Sequence, residues 1–475
     1  MSTRIGVFGW GIVAPKSPDL TAFRENLSSA ATWLTPFNGF GPDNFLVGVP
    51  QFDFSDYEGW IGERFAPRHF HRLLDKMDYP SLYAVGAFIQ ALGQNPGLEG
   101  VLQDLGSQAH VYVGTGLGNL HTIYDASIAL HEAQQRWHAF WTGRDEDLQA
   151  YLDELAAIDS VTIEGGIDAG KLHAIREKEK NRVRLQEKWR APEPPWNVSA
   201  KLIWNIHNTP AAQISILGKI TGMTFAPAAA CSTFGVALHL AMNAIHSGEA
   251  KAVVIGATDP PPHPLTVGSF YNARVLSSAR RLSAPLTRLQ GTHVAGGSIV
   301  WIVGDMAFMK SRGFTPLGME PIGVGVSSDA DHIITPSPDG PRAAIRQALE
   351  DAHVQPSDIG SWDLHATATP GDYAEMTTLR SVFPDSVLVT ARKGTFGHGM
   401  SAGSGWELTA QYLGYAEGRL FPTPLSREEL NATIAGMHQR FVFDSACSVP
   451  AGFSGKLSMG IGGINACVIS RPLDK

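Results

Sequence analysis

Cys231 stands in the stretch FAPAAACSTFGVALHLAMNAIHSGEAKAVVIGATD, where a run of small and apolar residues stops at the cysteine and a helical pattern begins. Val236, Leu240 and Ile245 fall in phase on that pattern, and Ser232 and Thr233 occupy positions where caps are favoured. The spacing therefore predicts a thiol at a helix start. There the free amides and the partial positive charge of the helix end favour thiolate over thiol, lowering a pKa that is roughly 8.5 in free cysteine. A strand-to-helix elbow with small neighbours also admits a bulky acyl group. The competing reading is a buried structural cysteine, the commoner fate of an isolated one.

Two histidines add to this thiol. His365, in WDLHATATPGDYAE, ends an apolar strand and precedes a turn at Pro370 and Gly371. His398, in SVLVTARKGTFGHGMSAGSGWELTAQ, lies after another strand in a glycine-rich loop that opens a helix, with Lys393 five residues earlier. Either histidine alone reads as structural or as surface. A cysteine at a helix start with two histidines on later strand-tip loops suits nucleophilic acyl chemistry, because active-site groups of α/β proteins collect at such tips.

The elements that must carry these residues alternate along the chain. Short apolar runs at Ile5–Ile12, His110–Gly116, Ala252–Ala257, Ile299–Val303, Ser386–Thr390 and Ala466–Ser470 read as strands. Amphipathic stretches at Tyr79–Leu92, Thr233–His246, Pro341–Ala352, Ala374–Val382 and Ala402–Ala416 read as helices, and the whole as an α/β protein. From about 131 to 190 the chain turns polar, and Lys171–Arg190 carries eight Lys or Arg against three Glu before APEPPW closes the segment. This reads either as a solvated helical insertion or as a basic dock for an acidic partner. The 475 residues leave ample volume for a core, and the formal charge of −8 argues against a nucleic-acid binder. Cys231, Cys447 and Cys467 show no CxxC spacing, so neither a disulfide framework nor a thiolate metal site is indicated. No apolar run reaches the roughly 18 residues of a membrane helix, and MSTRIGVFGWGIVAP reads as a strand rather than a signal peptide, so a cytoplasmic, membrane-free location is expected.

Cys231 in AACST, His365 in HATATPGD, Lys393 with His398 in KGTFGH, and the closing SMGIGGINACVI resemble the ordered active-site motifs of β-ketoacyl synthases, condensing enzymes of thiolase-like fold. The Cys-His-His set is similar to that of the elongating members. The resemblance implies an α/β fold of two pseudo-duplicated βαβ halves in five α-β-α-β-α layers. The halves fall at 1–310, with an insertion at about 120–190, and 311–475. It implies decarboxylative condensation of a Cys231-bound acyl group with a malonyl thioester and needs no redox cofactor or metal, since phosphopantetheine arrives on the substrate. It further implies an oxyanion hole from the amides of Cys231 and Ile461, support from Lys393, Glu407, Asp372 and Glu375, and an acyl tunnel or gate at Phe234 and Ile461. For Asp372 and Glu375 a surface or capping carboxylate is an equal alternative, and Phe234 and Ile461 read equally as core.

The sequence also departs from the family. Gly460-Ile461-Gly462-Gly463 stands where the elongating members carry GFGG, and an acidic DGF…GEGAG stretch is reduced to QGTHVAGGSIV. HATATPGD is one residue short of the common form. These changes favour a polyketide or secondary-lipid pathway over housekeeping elongation. The expected partner is an acyl carrier protein or acyl-coenzyme A, with carrier docking at Arg182, Arg184 and Lys188 because carrier proteins are acidic. A homodimer is expected, with a heterodimer as alternative. The rival functions are a silent partner subunit, which usually lacks the cysteine, and a cysteine hydrolase, which gives no reason for Lys393 and a second histidine.

Overall fold

The computed structural model describes residues 3–39, 45–142, 145–163, 169–190, 199–333, 337–437 and 439–473. Met1–His121 with Trp204–Lys475 form one compact unit, and Thr122–Ile203 form a second.

Two sheets organise the first unit. One is built from β1 (Ile5–Val13), β2 (Ala109–Gly114), β3 (Thr224–Phe225), β4 (Ala252–Asp259) and β5 (Gly297–Asp305) in the order β3-β2-β4-β5-β1. The other contains β6 (Met319–Ser328), β7 (Ile359–Asp363), β8 (Leu388–Thr390), β9 (Arg440–Phe441), β10 (Phe453–Gly460) and β11 (Ile464–Pro472) in the order β9-β8-β7-β10-β11-β6. In the first sheet β2 runs parallel to β3 and β4, while β5 is antiparallel to β4 and β1. In the second, β7 runs parallel to β8 and β10, while β11 is antiparallel to β10 and β6. Without the short edge strand β9, the second sheet repeats the first in order, direction and chain sequence.

The longer helices repeat as well. α1 (Tyr79–Leu92) follows β1; α2 (Leu120–Thr142), α3 (Asp145–Asp159) and α4 (Ala169–Arg190) follow β2; α5 (Thr209–Gly218) precedes β3, and α6 (Thr233–His246) joins β3 to β4. In the second half α7 (Asp339–Ala352) joins β6 to β7, α8 (Gly371–Val382) joins β7 to β8, and α9 (Met400–Glu417) follows β8. α1 and α5 pack on the outer face of the first sheet, α6 and α9 lie between the sheets, and α7 and α8 cover the second. This is the five-layered, pseudo-duplicated architecture expected from the resemblance. Strands covered on both faces are predominantly apolar, and β1, β4 and β5 are buried along their whole length.

The central layer is tight. A Cβ at Gly405 of α9 would stand 2.6 Å from Ile299 of β5 and 2.9 Å from Phe234 of α6, so only glycine allows this approach. The expected bounds of α1 and α6 hold. The strand expected at Ser386–Thr390 begins only at Leu388, because the Val387 N–H closes a turn on the Pro384 carbonyl.

In the second unit α3 and α4 pack together. Arg182 pairs with Asp159 and Glu179, and Lys188 with Glu154 at 3.0 Å. Leu185 is buried and Arg184 is exposed. The basic run is thus partly neutralised by its own acidic neighbours. APEPPW lies outside the described residues.

Candidate active site

The thiol sits on a sharp elbow. Ala230 takes a left-handed φ of 47°, Ala230–Ser232 form a single 3-10 turn, and α6 begins at Thr233. The expected caps are not made by these side chains. Ser232 Oγ instead donates to the Ile464 carbonyl at 2.8 Å, and Thr233 Oγ1 donates back to Ala230 at 2.7 Å. Both hydroxyls brace the elbow because the left-handed turn carries them away from the first amides of the helix.

The electrostatics of Cys231 also correct the sequence reading. Burial pushes its thiol up to about 11, although the charge of Lys393 and the backbone N–H groups of Ile461 and Cys231 itself pull the other way. The helix start does not outweigh desolvation of a buried anion. The two amides that reach the sulfur are those expected to form the oxyanion hole.

His398 stands beside the sulfur, with Nε2 3.2 Å from Sγ. Its Nδ1 accepts the Met400 N–H at 3.2 Å, so in the neutral ring the proton is on Nε2. His398 therefore donates toward the sulfur and supports a negative charge there rather than removing a proton. Its backbone is locked on both sides, donating to His293 O at 2.6 Å and accepting from Ala295 N. His365 faces it nearly edge-on, the ring centroids 5.5 Å apart. Burial first, and then the cations Lys393 and Lys456, hold both histidines well below the usual imidazole range. Two neutral imidazoles thus share one cavity with the thiol.

Beneath them lies a fully buried charge network. Lys393 Nζ donates to Glu407 at 2.6 Å and to the His365 carbonyl. Lys456 pairs with the other Glu407 oxygen at 2.7 Å, and Arg392 Nε donates to Asp363 at 2.8 Å. Glu375 accepts the N–H groups of His365 and Ala366 at 2.7 and 2.8 Å, and Asp372 accepts those of Leu286, Thr367 and Ala368. Burial raises Glu375 to about 7 and Asp372 to about 6 against these hydrogen bonds. Neither is the surface carboxylate of the alternative reading: they fasten the His365 loop.

Cys231, His365 and His398 open on one cavity of about 420 Å³, which Ile461, Met459, Thr367, Thr369 and Arg274 also line. Ile461, 43% exposed, occupies the turn between β10 and β11. Phe234 is not on the cavity: it is fully buried with its ring 5.1 Å from that of Trp301. Its side of α6 faces the central layer, and nearness to Cys231 in sequence does not change that. Among the described residues no group of His, Cys, Asp and Glu side chains is arranged to hold a metal ion, and no helix is long and apolar enough to cross a membrane.

Several contributors escaped the sequence reading. Lys456, Asp363 and Arg392 complete the network; the sequence signal was a solitary lysine in the otherwise uncharged strand FSGKLSMG. Asp259, at the end of β4, accepts from Thr115, Gly116 and Leu117 and from Ser401, joining the β2 tip to the start of α9. His293, within QGTHVAGG, accepts the Ser283 N–H and contacts the Leu46 carbonyl, and burial lowers it to about 4.

Comparison with known proteins places residues 162–303 on the family model for the N-terminal domain of β-ketoacyl synthase and residues 320–425 on the model for its C-terminal domain. Together they take in just over half of the chain. A chloroplastic 3-oxoacyl-[acyl-carrier-protein] synthase I of Arabidopsis thaliana is 30% identical over 228 residues, covering 46% of this chain and 48% of that one. The match spans about half the length of the curated relatives. The ishigamide ketosynthase/chain length factor superposes with a TM-score of 0.74 at 21% identity over 100% of both chains. A type II polyketide synthase ketosynthase, solved in complex with its acyl-carrier protein, gives 0.73 at 18% identity, again over 100% of both chains. These structures share the thiolase-like fold.

Proposed function

Because the chain belongs to the β-ketoacyl synthase family, we propose that it is an acyltransferase that joins a Cys231-bound acyl group to a malonyl thioester with loss of carbon dioxide. The observation that carries this reading is the placement of Cys231 Sγ 3.2 Å from His398 Nε2, with His365 across the same cavity. In the first half-reaction the sulfur attacks the acyl thioester carbonyl, the amides of Cys231 and Ile461 hold the oxyanion, and the carrier thiol departs with a proton. In the second, the N–H groups of His365 and His398 bind the malonyl thioester oxygen. The C–C bond to the carboxylate breaks, carbon dioxide leaves, and the electron pair forms an enolate held by the same donors. The enolate carbon attacks the acyl-Cys carbonyl, and the Cys231 thiolate is released. Neutral histidines suit this step, since Lys393 and Lys456 already supply the positive charge.

The substrate brings its own phosphopantetheine arm, and no other cofactor is required. Arg274 supplies a cation at the cavity lining for the phosphodiester of that arm. The donor is an acyl carrier protein, a reading supported by the names of the relatives. Of the three expected docking cations Arg184 and Lys188 are exposed, and Lys188 is paired with Glu154. A cytoplasmic homodimer in fatty-acid-like or polyketide synthesis fits this chemistry. A catalytically silent subunit is disfavoured because the thiol and both histidines stand together. The test is incubation with acyl donor and malonyl carrier protein. A 3-oxoacyl product with an acyl adduct on Cys231 supports the proposal, and release of free acid with malonyl untouched indicates a hydrolase.

A further inference from the structure

Lys456 is 1% exposed in the middle of β10, a strand with no other charge. Its ammonium is surrounded by oxygens from separate segments of the chain. Glu407 Oε2 of α9 lies at 2.7 Å, the Leu364 carbonyl at 3.0 Å, the Leu457 carbonyl at 2.7 Å and Asp363 Oδ1 at 3.6 Å. Asp363 is also its register partner across the β7–β10 pair. A lysine this deeply buried is costly unless its charge is used. Burial works against the ammonium, but Glu407 and Asp363 outweigh it and hold Lys456 above the ordinary lysine value.

The location gives that charge a use. Leu364 immediately precedes His365, so the ammonium grips the strand tip from which one histidine emerges. Glu407 sits on the helix that opens two residues after His398, so the same ammonium grips the element that carries the other. Lys393 holds the His365 carbonyl and the remaining Glu407 oxygen. The two lysines therefore clasp one carboxylate from opposite oxygens while each binds a successive carbonyl of the His365 segment. We propose that Lys456 is a second positioning residue of the active site, a fixed internal cation that sets the separation of His365 and His398.

The titratable and charged groups packed around these rings come from every neighbouring element. They are Lys393 before His398, Glu407 on α9, Lys456 on β10, Asp363 on β7, Arg392 after β8, Glu375 and Asp372 on α8, Cys231 on the elbow, and Asp259 and His293 around the His398 loop. Removing Lys456 leaves Lys393 and Arg392 to face Glu407 and Asp363. The local potential becomes more negative, and protonation of the histidines becomes easier. Protonation of His398 at Nδ1 would expel the Met400 N–H and turn the ring from the sulfur.

This inference rests on the condensing reading. The experiment compares wild type with Lys456→Met, and with Lys456→Gln, which retains donors for the carbonyls without charge. Acyl-Cys231 formation is followed by intact mass and condensation by product release across pH. Expected for both variants are a condensation kcat lower by about 10–100-fold, a smaller loss in acylation, a nearly unchanged KM for malonyl thioester, and an acid limb moved up by about half a pH unit or more. An unmoved acid limb, or equal losses in both half-reactions, overturns the proposal and leaves Lys456 a fold residue; failure of both variants to fold does the same. If wild type itself makes no 3-oxoacyl product, it is the condensing reading that fails.

Discussion

Burial pushes the Cys231 thiol up to about 11, so the thiolate is scarce at neutral pH and its fraction climbs with alkalinity. Alkylation by iodoacetamide, read by intact mass on Cys231, should accelerate about tenfold per pH unit from pH 7 to 9. A plateau below pH 8 would mean that the amides and Lys393 outweigh burial after all. In the proposed condensation the histidines divide differently between the half-reactions. His365→Ala should still accept an acyl group on Cys231, yet lose about 10²–10³-fold in condensation, because it removes one donor to the enolate. Equal loss in both steps would contradict that assignment. Cys231, His365 and His398 were legible because each lies in a short contiguous motif at a strand tip or helix start, and Lys393 and Ile461 were implied by the resemblance those motifs carry. Lys456 and Asp363 were not, since their partnership depends on strand register between segments about ninety residues apart.

The helices and strands hold this site by close approach rather than by bulk. α9 begins just after His398, carries Glu407, and is pinned at Ser401 by Asp259 from the other sheet. Gly405 brings it against β5 and α6, where a side chain has no room. Gly405→Val should therefore cost about 1–3 kcal/mol through overpacking and lower the melting temperature by a few degrees, with activity falling as His398 shifts. An unchanged melting curve would show that the central layer yields easily. Hydrophobic period located α1 and α6 at their observed ends, whereas it left Phe234 open between tunnel and core for a physical reason: pattern identifies an apolar face but not whether it meets a cavity or Trp301. The hydroxyls after Cys231 look like caps in sequence and become braces only because Ala230 turns left-handed.

The molecule as a unit is a duplicated sheet-and-helix pattern, and its two halves supply different chemistry. The first provides the thiol on the elbow before α6, and the second provides both histidines, the lysines and the carboxylates between β7 and β11. The repeat was hidden from the sequence because the two halves share topology without a visible fixed period, and α2–α4 interrupt only the first. Within the insertion, Arg182 and Lys188 are engaged by Asp159, Glu179 and Glu154, so the proposed carrier docking should depend most on Arg184. Arg184→Glu should raise the apparent KM for carrier protein several-fold at low salt, less at high salt, and leave acyl-coenzyme A turnover unchanged. An unaltered KM would return the helix to a solvated face. The most direct test of the central claim is intact-mass analysis of wild type and Cys231→Ala with an acyl thioester, coupled to 3-oxoacyl product detection after malonyl thioester is added. Wild type should gain the acyl mass on Cys231 and then lose it as carbon dioxide and a product two carbons longer appear, with neither event in Cys231→Ala. Condensation by Cys231→Ala, or loss of the adduct as free acid with malonyl thioester unspent, would contradict it.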